Sequence, residues 1–330
     1  MGGAGGVGCL CAEGGPLTTS SDVSSSQAGT ARRAIGGTTV AALLVVYLVW
    51  GSTYLAIRVV VTNHLPPLLS MGVRFLVAGL VLAGGVRLRV GHGALAATRP
   101  QLTTAAVVGI LLLCGGNGFV AVAEQHLSSG LAALLVSTTP LWIVVLGLAV
   151  GERARALSLV GTLVGFAGTA VLARPGGSGA VQWQAVVLIL VATACWGAGS
   201  LYSRRHVSPA NAFAGAAYQM VFGGVALVAA GLVTGETRSL DLAAVTPAGW
   251  WALLYLGVIG SMVAYTAYFW LLANAPLQLV TTYAYVNPVV AVVLGWALLA
   301  EPVTAQVVVG GALAIAGVVI VISSERGGAH

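Results

Sequence analysis

Long stretches of apolar residues dominate the chain, and polar residues gather in the short segments between them. Ten stretches come close to the length of about 20 apolar residues that a helix needs to cross a bilayer. None of them alternates apolar and polar residues as the strands of a membrane barrel do. The pattern therefore predicts an all-α polytopic membrane protein with transmembrane helices at residues 40–61, 68–86, 102–123, 130–150, 157–172, 185–201, 212–233, 250–272, 277–300 and 304–322.

The composition supports this pattern. Of the 330 residues, 58% are hydrophobic and only 7% are charged, whereas a soluble domain carries about 25% charged residues. So few charges cannot form a hydrated surface, and a lipid bilayer is the predicted surroundings. The Gly-, Ser- and Thr-rich residues 1–38 are predicted to form a disordered leader, and residues 324–330 a cytoplasmic tail.

The basic residues are unevenly distributed across the predicted membrane. All 14 are arginines, and if the N-terminus is cytoplasmic, ten of them lie on the inner side and two on the outer side. Such a bias is the positive-inside rule. It predicts a multi-pass protein of the bacterial cytoplasmic (inner) membrane with both termini in the cytoplasm. Because these arginines form no single stripe, the net charge of +6 does not predict nucleic-acid binding.

The two halves of the chain match at a nearly constant spacing. Trp50 and Trp196 are 146 residues apart, and Pro140 and Pro288 are 148 apart. Each half holds five predicted spans, so the second half must enter the membrane from the opposite side. This predicts two inverted five-helix repeats, residues 39–174 and 184–323, an arrangement found in many secondary transporters.

Four charged residues follow the same symmetry. Arg58 and Arg204 end the first and sixth spans, where we expect them to reach the membrane interface. Glu152 and Glu301 precede the last helix of each repeat, where an acid favours the positive end of the helix dipole. We therefore predict that each glutamate caps the helix that follows it.

Small residues recur at helix-packing spacing in the fifth and tenth spans. Such faces allow two helices to approach closely. They predict tight packing within the monomer or, alternatively, the contact of a homodimer. The residues are Gly161, Gly165, Gly168, Gly310, Ala314 and Gly317.

Several local strings resemble a known family. They are Val49-Trp50-Gly51-Ser52-Thr53-Tyr54, Leu65-Pro66-Pro67, Arg74-Phe75, Asn117-Gly118, Ala123-Glu124-Gln125 and Tyr283-Ala284-Tyr285-Val286-Asn287-Pro288. Together they resemble the EamA family of the drug/metabolite transporter superfamily, most closely its YedA-type branch, over about residues 40–323. The resemblance implies a ten-helix inner-membrane transporter with a cavity between two repeats. It further implies alternating access and the export or uptake of metabolites, such as amino acids, or of drug-like compounds.

Polar groups inside a membrane are costly and therefore mark candidate solute pathways. Arg74 lies about two turns into the second span, and Asn117 lies among glycines that are expected to loosen the third. Glu124 follows at the outer end, where it can pair with Arg74 or bind a proton. Aromatic residues that occupy corresponding positions in the two halves of the chain can bind an apolar or cationic solute, or they can pack in the core. The predicted substrate-binding residues are Trp50, Tyr54, Arg74, Asn117, Glu124, Trp196, Tyr265, Tyr283 and Asn287.

The predicted function is secondary-active transport of small metabolites or drug-like solutes, with export favoured and Glu124 offering a site for proton coupling. A passive channel is the alternative. The spans contain no G-x-S-x-G or H-E-x-x-H string, and without lysine the chain has no P-loop. The sequence therefore predicts neither an enzyme nor a bound cofactor or metal.

Overall fold

The computed structural model describes residue 2 and residues 37–174, 182–238, 240–275, 277–280 and 282–326. Within these ranges the chain forms helices and no β-strand. The α-helices are α1 (Gly37–Thr62), α2 (Pro67–Val90), α3 (Arg99–Gly109), α4 (Phe119–Ala123), α5 (Ser129–Val136), α6 (Thr139–Ala149), α7 (Ala156–Leu172), α8 (Trp183–Arg205), α9 (Ala212–Val233), α10 (Pro247–Tyr255), α11 (Ala264–Asn274), α12 (Leu277–Val280), α13 (Tyr283–Leu299) and α14 (Ala305–Arg326). Apart from residues 2, 37 and 38, the predicted leader lies outside the described residues, and Gly37 opens α1.

Eight helices in the described ranges are long and apolar enough to cross a membrane. They are Gly37–Thr62, Pro67–Val90, Arg99–Ala123, Ser129–Ala149, Trp183–Arg205, Ala212–Val233, Pro247–Tyr268 and Ala305–Ser324. Two shorter apolar helices, Ala156–Leu172 and Tyr283–Leu299, coincide with the fifth and ninth predicted spans. The all-α polytopic prediction is confirmed, whereas the number of ten spans stays a prediction.

The fourth predicted span is divided between α5 and α6, and local chemistry accounts for the break. Pro140 has no N–H to donate to the carbonyl four residues earlier. That carbonyl, of Val136, accepts instead from the Thr139 hydroxyl at 2.7 Å. The Thr138 hydroxyl likewise donates to the carbonyl of Leu135 at 2.6 Å. Side-chain hydroxyls therefore satisfy the backbone where the helix is interrupted.

Two π-helical segments occupy similar places in the two halves of the chain. Ile110–Gly118 joins α3 to α4, and Leu256–Val263 joins α10 to α11. Their first residues are 146 positions apart, the spacing that also relates Trp50 to Trp196. The glycines around Asn117 were predicted to loosen the third span, and the structure has a wider helical turn there. Such turns are frequent at functional sites.

Glycines bring α7 and α14 into backbone contact. A Cβ atom on Gly168 would lie 2.7 Å from the carbonyl oxygen of Gly310, and one on Gly161 would lie 2.9 Å from that of Gly317. Real Cβ atoms essentially never come this close to another atom, so larger residues would force the helices apart. The predicted small-residue faces are therefore used for packing within the chain, and a homodimer stays a prediction.

Candidate functional site

A cavity of about 1110 Å³ lies among the helices. Residues from both halves line it, including α1, α2, α5, α6, α8, α9 and α13 and both π-helical segments. The lining includes eight of the nine predicted site residues, which are Trp50, Tyr54, Arg74, Asn117, Trp196, Tyr265, Tyr283 and Asn287. Only Glu124 is not among the lining residues. The structure thus brings the predicted residues together, and their binding of a solute stays a prediction.

Four aromatic side chains form one side of the cavity, which we call the aromatic wall: Trp50, Tyr265, Tyr268 and Tyr283. The ring centroid of Trp50 lies 5.4, 5.0 and 5.2 Å from those of Tyr265, Tyr268 and Tyr283. Rings at this distance are in direct contact. A solute therefore cannot be sandwiched between them and has to pack against the wall as a whole. Tyr268 joins this wall although the sequence did not single it out as a binding residue.

Glycines of the π-helical segment place Trp196 and Asn117 beside the cavity. A Cβ atom on Gly116 would lie 2.7 Å from Cε3 of Trp196, so this glycine gives the indole its space. Asn117 follows it and lines the cavity. In α13, Asn287 is 8% exposed, and its side-chain amide lies 3.3 Å from the carbonyls of Tyr283 and Tyr47. This amide is therefore held by the backbone around the wall.

The guanidinium of Arg74 is buried beside the cavity, with 6% of the residue exposed. Its Nε donates to the hydroxyl of Ser261 at 2.9 Å, and Nη1 lies 3.4 Å from the sulfur of Met71. Its Cζ is 4.4 Å from the ring centroid of Phe75. Ser261 was missed by the sequence reasoning, although its position four residues before Tyr265 on one helical face was a usable signal.

Glu124 is fully buried. Neither of its carboxyl oxygens has a hydrogen-bond partner in the described part of the chain. The guanidinium of Arg58 donates to the backbone carbonyl of Glu124, while Arg74 bonds to Ser261. The predicted Arg74–Glu124 pair is therefore not formed in this structure, because Arg74 donates to Ser261 and the Glu124 carboxyl has no hydrogen-bond partner in the described residues. Arg58, which was predicted to reach the interface, is half-buried, and its position relative to the membrane stays a prediction.

The prediction that Glu301 and Glu152 cap the following helices is wrong. Glu301 caps α5, because its carboxylate accepts from the N–H of Ser129 at 2.7 Å, from the Ser129 hydroxyl at 2.9 Å and from the N–H of Gly130 at 3.2 Å. Glu152 pairs with Arg205 at 2.6 Å and Arg204 at 3.5 Å. The hydrogen bond from Arg205 lowers the pKa of the exposed Glu152 carboxyl below its ordinary value.

These two glutamates mark opposite ends of the bundle. Ser129 and Ala149 are the two ends of one candidate span, so Glu301 lies at one end and Glu152, which follows Ala149, at the other. We call them the Glu301 end and the Glu152 end. At the Glu152 end the cavity lining includes the exposed residues Arg153 and Arg204. The cavity therefore meets solvent at the Glu152 end.

The Glu301 end is sealed by hydrogen bonds in addition to those of Glu301. The carboxylate of Glu236 accepts from the N–H groups of Leu68 and Leu69 at 3.1 and 2.8 Å, at the start of α2. Thr246, at the start of α10, donates to the side-chain oxygen of Asn63. Loops and helix starts are thus tied together at this end, and none of these residues lines the cavity.

A family model matches the chain in two segments. The EamA-like transporter family covers residues 37–174 and 183–323. The chain belongs to this family. The inner membrane transporter YedA of Escherichia coli strain K12 is 43% identical over 255 residues, which cover 77% of this chain and 80% of YedA. The predicted resemblance to the EamA family and to its YedA-type branch is therefore confirmed.

Other relatives agree with this EamA assignment. A probable terminal-alkyne amino-acid exporter of Streptantibioticus cattleyicolor is 28% identical over 287 residues, or 85% of this chain and 92% of that protein. A crystal structure with 21% identity shares the fold, with a TM-score of 0.58 over 88% of this chain and 99% of that one. The EamA chain is therefore a multi-pass protein related to transporters, and these relatives are not named for any catalytic activity.

Proposed function

We propose that the protein is a secondary-active transporter that exports small metabolites or drug-like solutes by alternating access. The observation that carries this proposal is the cavity, which meets solvent at the Glu152 end and is sealed at the Glu301 end. A transporter has to expose its site to one side at a time, whereas a conducting channel needs a continuous path. The alternative of a passive channel is less compatible with a sealed end.

We also propose the ten-helix architecture of two inverted repeats, residues 39–174 and 184–323. The family model matches twice, within nearly these limits. The two π-helical segments recur at a spacing of 146 residues. Similar backbone hydrogen bonds follow α6 and α13, because the N–H of Glu152 donates to the carbonyl of Gly147, five residues earlier, at 2.8 Å, and the N–H of Glu301 donates to the carbonyl of Gly295, six residues earlier, at 3.1 Å. With this architecture and the arginine bias, the Glu152 end and both termini face the cytoplasm.

Proton coupling through Glu124 belongs to the same proposal. A buried carboxylate without hydrogen-bond partners is costly, so we expect Glu124 to carry a proton while the Glu301 end is sealed. Opening of that end would hydrate the carboxyl and let it exchange a proton with the outer solution, so that a proton taken up there could be carried inward as a solute is exported. Export of an amino acid has a precedent in the name of the Streptantibioticus relative, and it agrees with a cavity that combines Arg74 with the aromatic wall.

Counterflow in proteoliposomes tests the transport proposal. Vesicles containing the purified protein would be loaded with unlabelled phenylalanine, leucine or methionine and supplied with traces of the labelled amino acid outside. An alternating-access carrier gives saturable uptake that internal substrate accelerates. Uptake that neither saturates nor responds to internal substrate indicates the channel, and protein-free vesicles provide the background.

A further inference from the structure

The buried part of the cavity carries the positive charge of Arg74. Its charged lining residues are Arg74, Arg153, Arg204 and Glu152, and Glu152 is already engaged by Arg204 and Arg205 at the exposed end. The salt bridges found among the described residues do not include Arg74. The buried guanidinium thus has no carboxylate to balance its charge, although an unbalanced charge in a low-dielectric interior is costly.

The contacts of Arg74 leave donors for a ligand. A guanidinium carries five N–H groups in a planar fork that fits a carboxylate. In the described part of the chain, hydrogen bonds use Nε toward Ser261 and Nη1 toward Met71. The latter acceptor is a thioether sulfur, which is weak. Since Arg74 also lines the cavity, its remaining N–H groups can bind an anion that enters it.

The aromatic wall begins next to this guanidinium. Arg74 donates to Ser261, which precedes Tyr265 by four residues. Both Arg74 and Tyr265 line the cavity, and the ring of Tyr265 is in contact with Trp50 at 5.4 Å. The rings fill the space between themselves, so the wall offers apolar surface without a slot for a cation. A cationic solute would also meet the positive charge of Arg74. The arrangement therefore favours an anionic group joined to an apolar body.

We propose that the cavity selects solutes with a carboxylate attached to an apolar body, with the carboxylate on Arg74 and the body against the aromatic wall. This inference rests on the proposed transport function and specifies its substrate class. Zwitterionic amino acids with apolar side chains and simple organic acids both carry the required carboxylate. Solutes whose only charge is positive fall outside this class.

Matched ligands that differ only in charge provide the test. Phenylacetate, phenylacetamide and phenethylamine form one series, and hexanoate, hexanamide and hexylamine form a second. Thermal unfolding of the purified protein in detergent reports binding, because a ligand of the native state raises the Tm. A charge-assisted hydrogen bond contributes about 1.5–3 kcal/mol, so each carboxylate should reach half-saturation at roughly 10- to 100-fold lower concentration than its amide. Equal or tighter binding of the amide or amine, or no stabilisation by either carboxylate, overturns the proposal.

Three variants locate the effect. Arg74→Gln should remove the preference for carboxylate over amide, and Arg74→Lys should retain part of it. Arg89→Gln is the control, because it removes an exposed arginine from the same helix, and it should behave as wild type. A preference for carboxylates that persists in folded Arg74→Gln contradicts the proposed site. If that variant does not fold, the comparison of ligands on the wild-type protein and the Arg74→Lys variant still test the proposed site.

Counterflow of the same ligands separates the two proposals. Saturable counterflow of the amines without the carboxylates would leave the transporter proposal standing and overturn the substrate class. Binding of the carboxylates without counterflow would support the binding class and contradict transport.

Discussion

At the scale of single residues, Glu124 has the least favourable surroundings among the polar groups of the sealed end. It is fully buried, and its oxygens have no hydrogen-bond partner in the described residues. The charged and titratable groups near it are Arg58, Glu301 and Tyr54. Arg58 is committed to the backbone of Glu124 and Glu301 to α5, so neither contributes a hydrogen bond to this carboxyl.

Replacement of Glu124 by glutamine tests its role in proton coupling. Glu124→Gln preserves the shape of the side chain but cannot exchange a proton. We expect an imposed pH gradient to accelerate transport at least fivefold in wild-type proteoliposomes and to have no effect on the variant, while solute exchange without a gradient continues. Initial rates with and without the gradient measure this difference.

Asp241→Asn is the matched control, since Asp241 is an exposed acid in the segment between α9 and α10 that accepts from the N–H of Ala243 at 2.9 Å. It should retain gradient-driven transport. Full acceleration in Glu124→Gln would show that Glu124 does not carry the coupled proton.

Most of the residues that sequence reasoning selected line the cavity, but their partners were not predicted. Arg74, Asn117 and Trp196 were recognisable because buried charge, glycine-flanked amides and repeated aromatics are unusual in a span. Which side chains meet depends on the rotation of each helix about its axis, and apolar runs carry little information about that rotation. For this reason the choice of Ser261 for Arg74, rather than Glu124, needed the structure.

At the scale of elements, the packing of α7 on α14 shows what a pattern of small residues can predict. The spacing of the glycines indicated a close helix contact without naming the partner helix. In the structure the partner of α7 is α14, the matching helix of the other half of the chain, with Gly168 against Gly310 and Gly161 against Gly317. Backbone atoms form these contacts. Unlike the end of a flexible side chain, a backbone atom cannot move aside to make room for a larger residue.

Alanine substitutions measure this packing. Gly168→Ala should lower stability by about 1–3 kcal/mol, as overpacking of a close contact does. Gly84→Ala places the same methyl group in α2 where no atom lies within 4 Å, so it should be neutral or should stabilise by up to about 1 kcal/mol through helix propensity. Thermal unfolding in detergent compares the two, and an equal Tm for both variants would contradict the packing argument.

At the scale of the whole molecule, the carboxylate of Glu301 holds the sealed end together. It accepts from three donors of Ser129 and Gly130. Glutamine would present one oxygen and one NH₂ group, so at least one buried donor would lose its acceptor, at a cost of about 1–3 kcal/mol. Glu301→Gln is therefore expected to shift the protein toward opening at this end.

Cysteine labelling can detect that shift. Ala133 is 1% exposed and lines the cavity from α5. In a background without the native cysteines, Ala133→Cys should react slowly with an impermeant thiol reagent applied outside intact cells, and Glu301→Gln should raise the labelling rate at least fivefold. Glu152→Gln alters an exposed ion pair at the other end and should change the rate less than twofold. Equal rates in all three backgrounds would exclude Glu301 as the seal.

The overall architecture was largely predictable because the bilayer leaves few choices to a spanning chain. Apolar length determines where helices can cross, and the structure has helices at every predicted run. The segments at residues 277–280 and 283–299 show the limit, since a single apolar run became α12 and α13. Conformational state was beyond prediction, because a sequence that supports two states does not specify which end is sealed.

The two ends also differ in charge. Arg153 and Arg204 line the mouth of the open end together with a single acid, Glu152, whereas Glu236 and Glu301 close the other. A positive mouth raises the local concentration of anions and speeds their capture, an effect that weakens as ionic strength rises. Acids around the opposite exit, once it opens, slow the return of the same anion. For an anionic solute the protein would thus act as a kinetic rectifier, in which capture from the arginine-rich side is faster than recapture from the other.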